Sequence, residues 1–239
     1  MNNIYIPSYN RHDKVRTYEY LGCGHIVVPE SQEKDYKKRY GSAVVSIPDK
    51  RDGSVNKKRN AVLDLIKENE ADGYGWTIDD DLICMKNKKE NIKLSGDECL
   101  EHLERMYIMA QDMNAFFCGF DYSEDCMKLK DMAPFSLTKP FFHCVLININ
   151  DNIRYDERLR TQGDLDFWIA KINHNRKILK DNRFVCISHG VDGGKESTIG
   201  YDKDDRKKSA ISINNKYGLK IIQINKHGNQ KFKIPIKGA

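Results

Sequence analysis

Short apolar runs recur along the chain and are the first pattern to interpret. The runs are rich in β-branched and aromatic residues, and the early ones are continuously apolar rather than alternating with polar positions. Strands that are covered on both faces of a sheet have this pattern. The predicted strands are IYIPS (4–8), HIVVP (25–29), AVVSI (43–47), YGWTI (74–78), AFFCGF (115–120), FFHCVLINI (141–149) and RFVCIS (183–188).

Four segments between these strands have helical signatures. One of them, residues 95–113, opens with Ser95 and Glu98 at the spacing of a capping box. The other predicted helices are SQEKDYKKRY (31–40), NKKRNAVLDLIKEN (56–69) and DLDFWIAKI (164–172). Alternation of strands and helices predicts an α/β protein with a mostly parallel sheet flanked by helices. The polar, glycine-rich stretch 193–209 predicts a loop.

Length and composition predict a globular protein of the cytoplasm. The 239 residues are enough for one domain with an appendage, and 39% of them are hydrophobic. No apolar run approaches the roughly 18–20 residues that span a bilayer, and the N-terminus lacks the pattern of a signal peptide. The seven cysteines contain no Cys-x-x-Cys pair, which is typical of free thiols in a reducing cytosol. We therefore expect no membrane partner.

Basic residues are concentrated at the C-terminal end. Residues 203–239 contain ten basic and two acidic residues, a net charge of +8, so residues 1–202 carry −3 of the total of +5. This asymmetry predicts a body at residues 1–200 and a basic C-terminal extension at residues 201–239. A polyanionic partner would suit the extension. A merely solvated tail is the alternative.

Three consecutive acids, Asp79, Asp80 and Asp81, follow the predicted strand YGWTI. Ligands of open α/β sheets collect at the carboxyl ends of strands. In extended backbone, residues i and i+2 face the same side, so Asp79 and Asp81 can converge while Asp80 points away. Paired carboxylates suit Mg²⁺ or Mn²⁺, and magnesium often completes its shell with substrate phosphates. A solvated turn is the alternative.

A basic segment, NKKRN (56–60), begins the second predicted helix. The first turn of a helix offers free N–H groups to phosphate, and an arginine adds charge-assisted hydrogen bonds. Positive side chains are unfavourable beside the positive pole of a helix, which favours a bound anion here. Two further residues, taken singly, do not distinguish a functional role from a structural one. Asp164 could serve only as the N-cap of its helix, and His189, which follows a strand, could have a structural role.

Taken in order, these segments resemble the GT-A glycosyltransferases, which transfer a sugar from a nucleotide-diphosphate donor. The resemblance extends from about residue 4 to residue 190. IPSYNR (6–11) resembles the turn after the family's first strand, NKKRN the Arg-Asn segment beside the donor, DDD (79–81) the Asp-x-Asp metal motif, and GDLDFW (163–168) the family's acidic helix start. In one departure, Gly163 stands where the family usually has glutamate.

The resemblance implies a Rossmann-like GT-A fold and a role for each matched residue. Asp164 would be the catalytic base of an inverting enzyme, and Asp79, Asp81 and His189 would bind Mn²⁺ or Mg²⁺. Asp52 is a further candidate for contacts to the base or ribose of a UDP-sugar donor. The implied donor-binding residues are Pro7, Tyr9, Asn10, Arg11, Asp49, Asn56, Arg59, Asn60, Asp79 and Asp80.

The segment from Val55 to Leu82 is similar to small phage enzymes, the TET-associated glycosyltransferases, which decorate hydroxymethylated pyrimidines in DNA. This resemblance implies an acceptor of the 5-hydroxymethylcytosine type, in the cytoplasm of an infected bacterium. The basic extension would contact DNA phosphates, and Tyr217, His227 and Phe232 would stack on bases or pack on the body. Alternatives are a surface polysaccharide or lipid-linked acceptor, a nucleotidyltransferase, and a non-catalytic nucleic-acid-binding module.

Overall fold

The computed structural model describes residues 3–122, 133–176, 178–188, 203–218, 220–224 and 230–232. The strands are β1 (Ile4–Pro7), β2 (His25–Pro29), β3 (Val44–Ile47), β4 (Tyr74–Ile78), β5 (Leu82–Asn87), β6 (Ile92–Lys93), β7 (Phe117–Asp121), β8 (Phe135–Ser136), β9 (Cys144–Asn148), β10 (Leu179–Ser188), β11 (Ile222–Ile224) and β12 (Gln230–Phe232). The α-helices are α1 (Arg16–Leu21), α2 (Glu33–Tyr40), α3 (Val55–Asn69), α4 (Gly96–Asp112), α5 (Gly163–Asn175) and α6 (Lys203–Tyr217).

In the described part of the chain, one large sheet has the order β3-β2-β1-β4-β9-β7-β10-β5-β6, and β8 pairs with β10. Strands β3, β2, β1 and β4 are mutually parallel, β9 is antiparallel to β4 and β7, and β7 is parallel to β10. The predicted α/β class with a mostly parallel sheet is confirmed. The carboxyl ends of β1, β3, β4 and β7 and the start of β9 therefore share one border, the carboxyl edge.

Alternate residues of β1 point into two cores, one on each face of the sheet. Ile4 and Ile6 pack with residues of α1, α2 and α4, whereas Tyr5 packs with residues of α3, α5 and α6. This two-sided burial explains why the early strands are continuously apolar. The cysteines predicted to pack as small apolar residues are buried in the structure, namely Cys84, Cys118, Cys144 and Cys186.

The helix starts follow from side-chain capping. The predicted capping box of α4 is confirmed, since Glu98 N donates to Ser95 Oγ and Ser95 N donates to Glu98 Oε2. In contrast, α2 begins at Glu33 rather than at Ser31. The Ser31 hydroxyl donates to Asp49 instead, at 2.9 Å, so it does not cap the helix. Of the helices that the structure describes, none is both long and apolar enough to cross a bilayer.

The loop predicted over residues 193–209 is wrong from Lys203 onward, because α6 begins there. Residues 193–202 lie outside the described residues. The first turns of α6 are charged, so the sequence did not predict a helix there. The later residues Ala210 and Ile213 are buried in the core beneath α3 and α5. Strands β5 and β6, which no apolar run predicted, extend the sheet beyond β10.

The described part of the C-terminal extension packs on the body. Lys216 Nζ donates to both carboxylate oxygens of Asp166 at 2.7 and 2.9 Å, and Tyr217 OH donates to the same carboxylate at 3.1 Å. Tyr217 therefore takes the packing role that was one of its two predicted alternatives. His227 and the side chain of Phe232 lie outside the described residues.

A buried ion pair anchors α5 to the end of β9. Lys171 Nζ donates to the carboxylate of Asp151 at 2.7 and 2.8 Å and to the carbonyl of Asn148 at 2.8 Å. The Lys171 and Asp151 side chains are 0% and 1% exposed. Burial lowers the pKa of Lys171 to about 8, although the Asp151 charge opposes that shift.

We predict that Lys171→Met lowers the free energy of unfolding by about 3–5 kcal/mol, because it leaves the Asp151 charge buried without its partner. The double variant Lys171→Met/Asp151→Asn should recover most of that loss. Urea denaturation of both variants measures the effect, with the exposed Lys67→Met as control. A loss below about 1 kcal/mol in the single variant, the size of an exposed pair, would contradict the assignment.

Candidate active site

The acidic triplet lies at the carboxyl edge, where β4 ends. Asp79 N donates to the carbonyl of His143, at 2.8 Å, which ties the triplet to the residue before β9. The fully buried Thr17 supports the turn from α1, because its hydroxyl donates to Asp79 O and accepts from Leu82 N. The backbone of the triplet is therefore held from two sides.

Asp79 is held by an arginine and a histidine. Arg59 Nη2 donates to Asp79 Oδ1 at 3.0 Å, and His143 Nδ1 lies 3.0 Å from Asp79 Oδ2. Burial favours the protonated acid, but the Arg59 charge and the His143 hydrogen bond outweigh it and hold the pKa of Asp79 well below its usual range. Burial likewise opposes the charged form of His143, yet its hydrogen bond to Asp79 leaves the pKa of His143 raised.

Asp80 and Asp81 have different surroundings from Asp79. The Asp80 carboxylate accepts from Ser8 Oγ and Arg11 Nη1, each at 2.5 Å, so it points towards the end of β1. Burial raises the pKa of Asp80 to about 6 despite the Arg11 charge. Asp81 lies 4.0 Å from Arg11, and its pKa is raised first by burial and then by the negative charge of Asp79.

Arg59 connects the triplet to α5. Its guanidinium donates to Asp164 Oδ1 as well as to Asp79, and its side chain is 9% exposed. The guanidinium carbon also lies 5.6 Å from the ring centroid of Tyr155. The structure thus brings together three residues that the sequence singled out on separate elements. Asp164, at 38% exposure, is the most accessible of them.

Gly163 and Asn56 occupy one space at the start of α5. A Cβ at Gly163 would collide with the amide group of Asn56. That amide donates to the carbonyls of Asp156 and Leu159 at 2.8 and 2.9 Å, so the loop before α5 depends on it. The departure from the family pattern at Gly163 is therefore matched by the side chain of Asn56.

Asn60 holds the same loop from the next turn of α3. Its amide nitrogen donates to Tyr155 O at 3.0 Å and to Glu157 Oε1 at 2.9 Å, and its amide oxygen accepts from Tyr155 N at 2.9 Å. Asn56 and Asn60 are 4% and 5% exposed. In this structure both predicted donor-binding residues act as scaffold, and donor contact by them stays a prediction.

Lys58 dominates the other side of the carboxyl edge, between the ends of β1 and β3. Its Nζ donates to Ser8 O at 2.6 Å, lies 3.1 Å from Asp52 Oδ2 and lies 4.9 Å from the ring centroid of Tyr9. Tyr9 is 40% exposed and is available to a planar ligand. Burial raises the pKa of Asp52 although Lys58 opposes the shift.

The remaining predicted donor residues line the rim of this region. Pro7 is the last residue of β1. Asn10 exchanges two hydrogen bonds with Gln32, at 2.6 and 2.9 Å, and Arg11 N donates to Tyr36 OH at 2.8 Å. Asp49 accepts from Ser31 N and Oγ. These contacts keep the predicted residues on one border of the sheet.

The site also contains residues that the sequence did not single out, among them Ser8, Thr17, Lys58, His143 and Tyr155. Lys58 lies inside the segment NKKRN (56–60). Its position on the side of the helix that faces β1 was a signal that could have identified it as a site residue. His143 was assigned to a strand, whereas β9 begins one residue later. A histidine interrupting an otherwise apolar run was the available hint.

A small cleft of about 20 Å³ lies beside these residues. Its polar lining consists of Arg59, Asp79, His143, Asp164 and Thr77, and its apolar lining includes Phe117, Phe141, Phe142 and Tyr155. A lining that combines charged groups with aromatic rings is typical of ligand sites.

The predicted metal ligands are only partly covered by the structure. Asp79 and Asp81 adjoin each other at the carboxyl edge, whereas His189 lies outside the described residues. Within the described ranges, no group of three or more histidine, cysteine, aspartate or glutamate side chains is arranged to hold a metal ion. Metal binding by Asp79 and Asp81 stays a prediction.

We predict that Gly163→Ala lowers the free energy of unfolding by about 1–3 kcal/mol, because the added methyl group displaces the Asn56 amide. In an Asn56→Ala background the same substitution should cost less, since the colliding group is gone. A double-mutant cycle by urea denaturation measures this coupling. Additive effects of the two substitutions would contradict the shared space.

Comparison with solved structures finds a likeness to S. aureus TarS 1–349. One crystal structure shares 13% identity over 90% of this chain and 66% of that chain, with a TM-score of 0.48. A second, in complex with UDP, shares 13% identity over 89% and 64% of the two chains, with a TM-score of 0.50. This chain thus spans just under two thirds of those chains, and at such identity the likeness concerns the fold.

Comparison with sequences gives a more specific result. No match is found among curated proteins. The family model described as TET-Associated Glycosyltransferase matches residues 2–194, which include the acidic triplet, Arg59 and Asp164. Because that match covers most of the chain, this protein belongs to the TET-associated glycosyltransferase family.

Proposed function

We propose that this protein is a metal-dependent, inverting glycosyltransferase that moves a sugar from a nucleotide-diphosphate donor to the hydroxymethyl group of a 5-hydroxymethylcytosine-type pyrimidine in DNA. The observation that carries the proposal is the bridge from Asp79 through Arg59 to Asp164, which lines a small cleft at the carboxyl edge. Membership of a glycosyltransferase family supports the reaction class. The UDP bound to the similar fold of TarS supports a UDP-sugar as donor.

The charge of the site supports a divalent cation. Arg11, Lys58 and Arg59 are outnumbered by the described carboxylates around them, which are Asp52, Asp79, Asp80, Asp81 and Asp164. A diphosphate brought to this excess of negative charge would be repelled unless a cation intervened. Asp79 and Asp81, with His189 as the predicted third ligand, would hold Mn²⁺ or Mg²⁺. The ion would neutralise charge that develops on the departing diphosphate.

Side chains of this protein take the remaining roles, which are binding of the donor and removal of the acceptor proton. Tyr9, Asp52 and Lys58 offer a surface for the nucleoside, while Arg11 and Arg59 face the diphosphate. The acceptor hydroxyl oxygen would attack the anomeric carbon as the bond to the diphosphate oxygen breaks. The hydroxyl proton would pass to the Asp164 carboxylate. Competition of the diphosphate for Arg59 would loosen the Arg59–Asp164 ion pair and leave Asp164 able to accept that proton.

The DNA acceptor is supported by the family and by exposed charge. Arg206, Lys207 and Lys208 are exposed on α6, which packs on the body through Ala210 and Ile213. Cations fixed in this way can neutralise DNA phosphates without an ordering step. The extension would therefore contribute affinity for DNA but no recognition of the base.

We predict that hydrolysis of a UDP-sugar in the presence of Mn²⁺ falls at least about tenfold in Asp81→Ala. Loss of a side chain that binds the metal should lower the rate at least as much as loss of a residue that only orients such a side chain. Chelation of the metal should lower the wild-type rate to the same level. Glu101→Gln, on the exposed face of α4, is the control. Equal rates for wild type and Asp81→Ala would remove the metal assignment.

We predict that Asp164→Asn lowers sugar transfer to DNA by about 10²–10⁴-fold, the usual contribution of a general base. Affinity for the UDP-sugar should change little, since the amide keeps the shape of the side chain. DNA containing 5-hydroxymethylcytosine would be incubated with a panel of sugar nucleotides, digested to nucleosides and weighed by mass spectrometry.

Asp97→Asn is the matched control for that experiment, because Asp97 is an exposed acid in the first turn of α4. Undiminished transfer by Asp164→Asn would exclude Asp164 as the base. No mass shift with any sugar nucleotide, together with transfer to an oligosaccharide, would exclude the DNA acceptor.

A further inference from the structure

The part of the carboxyl edge beyond Asp79 is not used by the proposed donor site. In the sheet, β3, β2 and β1 lie on one side of β4, and β9, β7 and β10 lie on the other. Tyr9, Asp52 and Lys58 belong to the first side. Phe142, before β9, and Tyr122, after β7, belong to the second. A donor on the first side therefore leaves the second side for the acceptor.

Tyr122 and Phe142 form an aromatic surface that continues into the catalytic cleft. Their ring centroids are 5.2 Å apart with an interplanar angle of 49°. Tyr122 is 42% exposed, and the half-buried Phe142 lines the cleft together with Asp79 and Asp164. A flat ligand resting on these rings would therefore reach the proposed base.

A buried charge cluster fixes this surface from below. Lys88 Nζ and Lys180 Nζ donate to the two oxygens of Asp121 at 2.7 and 2.8 Å, and these lysine side chains are 1% and 5% exposed. Tyr122 N donates to Asp121 Oδ1 at 2.8 Å, which fixes the tyrosine backbone on the cluster.

The same cluster brings positive charge close to the surface. Lys180 Nζ lies 5.3 Å from the Tyr122 ring centroid. Within this set of three described residues, two lysines pair with one carboxylate. A cation beside an exposed aromatic ring favours a ligand that is aromatic and attached to a polyanion, which is the chemistry of a nucleotide within DNA.

We propose that Tyr122 and Phe142 are the subsite for the acceptor base, and that an unpaired pyrimidine stacks on them with its hydroxymethyl group directed at Asp164. The inference rests on the proposed function, because the subsite presupposes a DNA acceptor. The target base is either flipped from a duplex or already in a single strand, since an enzyme cannot approach a stacked base in this way. Stacking on aromatic rings tolerates any base, so selectivity arises from the hydroxymethyl group.

The test measures DNA affinity separately from catalysis. Fluorescence anisotropy would follow binding of a single-stranded oligonucleotide that contains one 5-hydroxymethylcytosine. Tyr122→Ala should weaken binding by about 5- to 150-fold, the loss expected for one base–aromatic stack. Tyr122→Phe keeps the ring and should bind within about twofold of wild type, and Phe142→Leu should weaken binding in the same direction as Tyr122→Ala. Ile92→Ala, an exposed apolar residue on β6, is the control.

The outcomes separate this subsite from the proposed function. If wild type glycosylates the oligonucleotide while Tyr122→Ala and Phe142→Leu bind it as tightly as wild type, the subsite is wrong and the proposed function stands. If wild type glycosylates an oligosaccharide but no DNA, and Tyr122→Ala raises the KM for that oligosaccharide, the rings hold a sugar and both assignments fail. Should Tyr122→Ala not fold, Tyr122→Leu replaces it, since leucine keeps apolar bulk without a stacking face.

Discussion

The site depends on one guanidinium shared by two carboxylates. Asp79 follows a strand and Asp164 lies in the first turn of a helix, and without Arg59 between them their negative charges would repel each other. Because Arg59 is 9% exposed, little water competes for its hydrogen bonds. Apolar packing of α5, through Phe167 and Trp168, sets the distance of the helix from the sheet. The ion pairs set the orientation of its first turn.

The acidic triplet shows how strongly the surroundings differentiate adjacent residues. The pKa of Asp79 is lowered because the Arg59 charge and the His143 hydrogen bond outweigh its burial. The pKa of Asp80 is raised to about 6 because burial outweighs one arginine and one hydroxyl. The pKa of Asp81 is raised by burial and by its neighbour Asp79. A motif defined by residue type alone therefore does not assign one function to all of its members.

Local sequence patterns predicted strands and helices, whereas the order of the strands in the sheet depends on long-range pairing. YGWTI coincides with β4 because a strand buried on both faces is apolar throughout. The strand β5 was not predicted because LICMKN mixes exposed and buried positions. The region of Asp79, Arg59 and Asp164 could be foreseen, since the carboxyl ends of strands and the first turns of helices meet there. The histidine in the apolar run 141–149 was a hint, but its contact with Asp79 could not be foreseen, because that contact depends on an antiparallel strand inserted beside β4.

The start of α5 shows how a local contact fills the position where the sequence departs from the GT-A pattern. By the resemblance of GDLDFW to that pattern, Gly163 stands where a glutamate is expected. Here the Asn56 amide fills the space beside Gly163, and it is committed to two backbone carbonyls. The start of α5 is thus occupied by a rigid scaffold contact. The aromatic surface of Tyr122 and Phe142, which is our proposed acceptor subsite, adjoins the cleft that Asp164 lines.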